Sequence, residues 1–103
     1  MFLKKELDRL VKALRQLGAR RIILFGSMAR GRLDLFTDID LLVILDTTLA
    51  FVERSVWVYR QVVPRVAADI MVYTPSEFQE LRDRPFIAQA LKEGVVLYEE
   101  GTG

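Results

Sequence analysis

Leu3, Leu7, Leu10, Leu14 and Leu17, with Val11 beside them, recur every three or four positions, which predicts an amphipathic helix over 2–17. Gly18 is a fitting stop. The run RRIILF at 20–25 then reads as a short strand buried on both faces, ending at Gly26. Residues 27–30 suit one helical turn capped by Ser27, and 31–37 form a polar connection back to the sheet. DIDLLVIL at 38–45, mostly branched and apolar, predicts a second and central strand. The stretch 48–63 is too long for a strand; Phe51, Val52, Val56, Tyr59 and Val63 give it a helical stripe that Pro64 closes. VAADIMVY at 66–73 predicts a third strand. Thr74-Pro75-Ser76-Glu77 has the form of a helix start with a capping box, and Pro85 restarts or bends that helix before Gly94 ends it. A short last strand follows at 95–98. The order α-β-β-α-β-α-β predicts an α+β fold, a small sheet covered by helices in one domain spanning 1–103, with strand order and directions open.

Composition narrows the chemistry. The chain has 103 residues, 51% hydrophobic and 28% charged, so it should pack a modest core instead of remaining disordered. Lys and Arg number 15 against 14 Asp and Glu, which leaves no whole-surface electrostatic grip on nucleic acid. Cysteine and histidine are both absent. Disulfides, thiolate or imidazole metal sites and nucleophilic dyads built on those side chains are therefore excluded. No apolar run reaches a membrane span, and the N-terminal stretch becomes charged too early for a secretory signal, so a cytoplasmic location is expected.

The informative stretch is GSMARGRLDLFTDID, from Gly26 to Asp40. Side chains alternate along a strand, so Asp38 and Asp40 project together while Ile39, Leu41 and Val43 enter the opposite layer. At ~7 Å and an effective dielectric near 20 their repulsion is on the order of 2 kcal/mol, which calls for a compensating positive charge. An oxygen-only donor set suits magnesium or manganese. The bland alternative is a solvated pair at a strand start. Asp69 interrupts the third strand, and a mid-strand carboxylate needs a partner. Arg65 or Arg20 could supply one. If the second and third strands are neighbours, Asp69 instead joins Asp38 and Asp40 on one sheet face.

Gly26 and Ser27, at a strand end that opens a helical turn, can offer backbone N–H groups and a hydroxyl to an anion, or can simply form a turn. Gly26 to Gly31 has the glycine spacing of a P-loop, but Arg32-Leu33 follows where that motif needs Lys and then Ser or Thr. Arg30 is the nearest guanidinium able to fork a phosphate, with Arg32, Arg20 and Arg21 further candidates.

Gly26-Ser27, ten intervening residues, Asp38-Ile39-Asp40 and a later strand-borne Asp69 together resemble the polymerase-β-like nucleotidyltransferase superfamily, in particular its minimal (MNT) branch of antitoxin type. The resemblance covers essentially the whole chain. It implies a mixed sheet, Gly26, Ser27, Arg30 and Thr37 at the nucleotide, and Asp38, Asp40 and Asp69 as catalytic ligands of two Mg2+ or Mn2+ ions. Thr37 stands where many members have serine. The implied reaction is transfer of a nucleoside monophosphate, AMP from ATP by resemblance, to a hydroxyl. No second domain follows within the chain, which favours a protein acceptor.

The helix at 48–63 carries more apolar surface than one core-facing stripe requires. Either a small sheet needs a wide cover or part of the surface meets a partner. The resemblance implies a helical HEPN-type toxin as that partner, with a homodimer as the simpler alternative. A contact-only antitoxin with idle acids, and a transferase for a small hydroxylated molecule or an RNA end, are the competing functions.

Overall fold

The structure, a computed structural model, describes residues 2–31 and 38–101. Its elements are α1 (Phe2–Gln16), β1 (Arg21–Phe25), α2 (Gly26–Ala29), β2 (Ile39–Ile44), α3 (Phe51–Val62), β3 (Ala68–Tyr73), α4 (Pro75–Leu81), α5 (Pro85–Glu93) and β4 (Val95–Glu99). The four strands form one mixed sheet in the order β3-β2-β1-β4. β1 runs antiparallel to both β2 and β4, while β2 and β3 are parallel. This is the expected α+β fold.

Alternation sorts the side chains into two layers. On one face Ile22, Leu24, Ile39, Leu41, Val43, Ile70 and Val72 pack against Leu7, Leu10 and Leu14 of α1 and Val58 and Val62 of α3. On the other, Ile23, Leu42 and Ile44 pack against Phe78 of α4 and Ile87 of α5. β2 is buried along nearly all its length because it lies between two strands and two helical layers, as its unbroken apolar run requires. Asp40 is the break in that run.

Some predicted boundaries shift for local reasons. The helix expected from residue 48 begins at Phe51, because the Leu49 N–H donates to Thr47 Oγ1 at 3.1 Å in a side-chain turn that diverts the backbone. It ends at Val62, and Val63 before Pro64 takes a left-handed φ of 43°. A non-glycine residue there is strained. Its surroundings hold it: Arg9 donates to the carbonyls of Val62 and Val63, each at 2.9 Å, and Glu6 accepts from both Arg9 and the Arg65 N–H. Glu6 is only 3% exposed, and the Arg9 hydrogen bonds keep its carboxyl below the usual glutamate range.

The helix expected across 74–93 is two helices. Thr74 and Glu77 form the capping box, and Pro85 opens α5 at a position where a missing N–H costs nothing. Arg54, buried on α3, donates to Leu49 O and to both Glu77 carboxylate oxygens, so α3 is tied to the start of α4 and the Glu77 carboxyl is also held down. Among the described residues no helix is long and apolar enough to cross a membrane.

Candidate functional site

The C-terminal end of β1 and the N-terminal ends of β2 and β3 meet at one end of the sheet. Register pairs Phe25 with Asp40 and Asp40 with Asp69. In a parallel ladder, paired residues project to the same face, so the two carboxyls stand side by side on the face that α4 and α5 cover further along. They are in hydrogen-bonding contact, and the Asp40 carboxyl is pushed above the usual aspartate range, first by burial, then by the Asp69 charge and bond, then by the charge of Asp38. Arg30 works in the opposite direction. Three negative groups so close call for positive charge, and the hard oxygen donors there fit Mg2+ or Mn2+.

Asp38, exposed just before β2, reaches Asp40 by charge alone. Among the described residues no three acidic side chains are already gathered into a cation cage. Two adjoining carboxylates and a third at charge–charge range still suit magnesium, which keeps waters and substrate phosphates as its remaining ligands. Asp69 itself lies exposed on the edge strand, so the cost of burying a mid-strand charge does not arise. Neither proposed arginine neutralises it: Arg20 pairs with Asp46 at 3.1 Å and Glu100 at 3.3 Å, and among the described residues no ion pair joins Arg65 to Asp69.

Gly26 has a φ of +72°, and a Cβ there would run into the Asp40 carboxylate. Glycine is required on both counts, and its bare backbone forms one wall of the acid pair. Ser27 is not the cap of α2. The turn begins one residue earlier, with Phe25 at the cap position and no side-chain cap bond. Among the described residues the Ser27 hydroxyl has no hydrogen-bond partner, and it lies beside Gly26. Arg30 follows the turn, with its Nη1 3.3 Å from Glu93 Oε2. Arg20 and Arg21 lie at the far end of β1, about 16–20 Å along the strand from Gly26. Thr37 and Arg32 lie outside the described residues.

In the sequence Tyr59 belongs to the apolar stripe of the third helix. Its hydroxyl donates to Ala68 O at 2.6 Å and accepts from the Ile70 N–H at 2.8 Å, bracketing Asp69 on the open edge of β3. Burial raises the Tyr59 hydroxyl above the usual tyrosine range, and the charges of Asp69 and Asp40 add to this. This contact is not legible in the sequence, since it depends on α3 lying against the outer edge of β3.

Residues 7–99 match the family model described as a nucleotidyltransferase domain. No curated protein gives a significant match. Among solved structures, one of a minimal nucleotidyltransferase is 24% identical with a TM-score of 0.60, and covers 91% of each chain. A chain from the toxin–antitoxin MntA–HpeT mutant structure is 22% identical with a TM-score of 0.58, covering 91% of this chain and 72% of that one. At these identities the two likenesses speak for the fold.

Proposed function

Since the chain belongs to the nucleotidyltransferase domain family, we propose that it transfers the nucleoside monophosphate of ATP to a hydroxyl of a protein partner, a HEPN-type toxin for which it serves as antitoxin. The observation that carries the catalytic part is the Asp40–Asp69 pair, set against the bare backbone of Gly26 with Asp38 alongside. The partner part draws on the toxin–antitoxin relative and on an uncovered apolar face of α3, where Val52 is 72% and Val56 45% exposed. The same face would serve a homodimer.

In this reading Asp38 and Asp40 hold the cations against the triphosphate, and Gly26 N–H, Ser27 Oγ and Arg30 hold phosphate oxygens, with Thr37 as a further hydroxyl. When bound, Mg2+ or Mn2+ ions supply charge neutralisation at the triphosphate and polarise the acceptor. Asp69 receives the proton of the acceptor hydroxyl. The acceptor oxygen forms its bond to the α-phosphorus as the bond to the β-phosphate oxygen breaks, and pyrophosphate leaves. The protein's contribution is to fix charges at the positions where charge develops.

The test is incubation with Mg2+, α-labelled ATP and the co-purified partner. Label should move to the partner with the wild-type chain and fall about a hundredfold or more with Asp38→Asn or Asp40→Asn. Inhibition of the partner by both variants without any label transfer would select the contact-only antitoxin, which the exposed α3 face also favours. Label on a small molecule or an RNA end would reassign the acceptor.

A further inference from the structure

Next to Gly26 a cavity of about 260 Å³ opens between α2 and α5, lined by Gly26, Arg30, Phe86, Gln89, Ala90 and Glu93 among others. We infer that this cavity is a nucleobase subsite, in which Phe86 stacks the base and Gln89 reads an exocyclic amino group. The inference rests on the nucleotidyl-transfer reading and deepens it by assigning base preference to residues of α5.

Three observations support it. The cavity shares Gly26 with the acid pair, so a triphosphate anchored there would carry its nucleoside toward α5. Phe86 is 51% exposed, yet its ring stands perpendicular to Phe25 with centroids 5.8 Å apart. A large apolar ring that is braced on one side and open on the other suits base stacking, which accepts any base.

The polar rim adds selectivity. Glu93 is clamped from both sides, accepting from Gln89 Nε2 at 2.6 Å and from Arg30 Nη1 at 3.3 Å. An ionised carboxylate can only accept, so the Gln89 amide must turn its NH2 group to Glu93. Its carbonyl oxygen is then an acceptor with no partner among the described residues. With the 6-position of a purine, or the 4-position of a pyrimidine, turned to it, that oxygen accepts from the amino group of adenine or cytosine and meets only another acceptor in guanine or uracil. Arg30, pinned by the same glutamate, stands between the phosphate and base ends of the site.

The experiment compares binding of ATP, GTP and inorganic tripolyphosphate, at fixed Mg2+, to the wild-type chain and to Phe86→Ala, Phe86→Trp and Gln89→Leu, with the thermal midpoint of each as a folding control. Wild type should prefer ATP to GTP. Phe86→Ala should weaken ATP about tenfold, the order of one lost base stack, and leave tripolyphosphate unchanged. Phe86→Trp should retain ATP, and Gln89→Leu should bring ATP and GTP together. Unchanged ATP affinity in Phe86→Ala, or equal weakening of ATP and tripolyphosphate, overturns the subsite while nucleotide binding stands. Failure of the wild-type chain to bind either ligand overturns the nucleotide reading itself.

Discussion

In the proposed reading Asp40 serves chemistry at the expense of stability. Burial and two neighbouring aspartates raise its carboxyl, so its ionisation opposes folding. The contribution of a raised carboxyl is present below its unfolded value and is lost as pH rises through the folded one. Asp40→Asn keeps a partner for the Asp69 carboxylate and removes the conflict. It should therefore raise the thermal midpoint at neutral pH by ~3 °C while abolishing transfer, as measured by calorimetry beside the labelled-ATP assay. A lower midpoint would mean that the acid pair is an ordinary structural contact. The pattern Asp38-Ile39-Asp40 was legible because strand alternation puts both acids on one face. That Gly26 abuts Asp40 was not, since the contact depends on antiparallel register between β1 and β2.

Among elements, β3 is the least self-sufficient part of the site. It is an edge strand, paired only with β2, and Asp69 projects from it into solvent. The Tyr59 hydroxyl satisfies the two outward backbone groups flanking Asp69 and blocks further strand addition there. Tyr59→Phe keeps the ring packed and loses both bonds. It should cost about 1–3 kcal/mol and speed exchange of the Ile70 amide. Loosening of Asp69 should also lower kcat for transfer more than it raises KM for ATP. Unchanged exchange at Ile70 would remove Tyr59 from this role. The elements themselves were visible in the hydrophobic periodicity, and the Thr74–Glu77 capping box was readable residue by residue. The start of α3 and the cap of α2 differ from the sequence expectation because the Thr47 hydroxyl accepts from the Leu49 N–H and Phe25 caps by its extended backbone alone, neither of which hydrophobic periodicity encodes.

At the scale of the whole molecule, buried or half-buried ion pairs tie the helices together. Glu6 with Arg9 binds α1 to the end of α3, and Glu77 with Arg54 binds α3 to α4. Hydrogen bonds from these arginines hold both carboxyls below their ordinary range. A depressed carboxyl stabilises above its unfolded value, and that contribution is lost as pH falls through the folded one. The thermal midpoint should accordingly fall steeply below about pH 4.5. Glu6→Gln should lower it at neutral pH, by roughly 2–4 kcal/mol of stability, and flatten the acid slope. The layered α+β architecture followed from the order of apolar runs, whereas strand order required the three-dimensional pairing that brings Asp40 beside Asp69.

The claim on which the account depends is that these acids form a divalent-cation site at one end of the sheet. Paramagnetic broadening of backbone amide signals by added Mn2+ reports on this directly. The account predicts broadening centred on Gly26, Asp38 to Leu41 and Asp69 to Ile70, greatly reduced in Asp40→Asn. Broadening that is uniform over the surface, or unchanged in that variant, would contradict it.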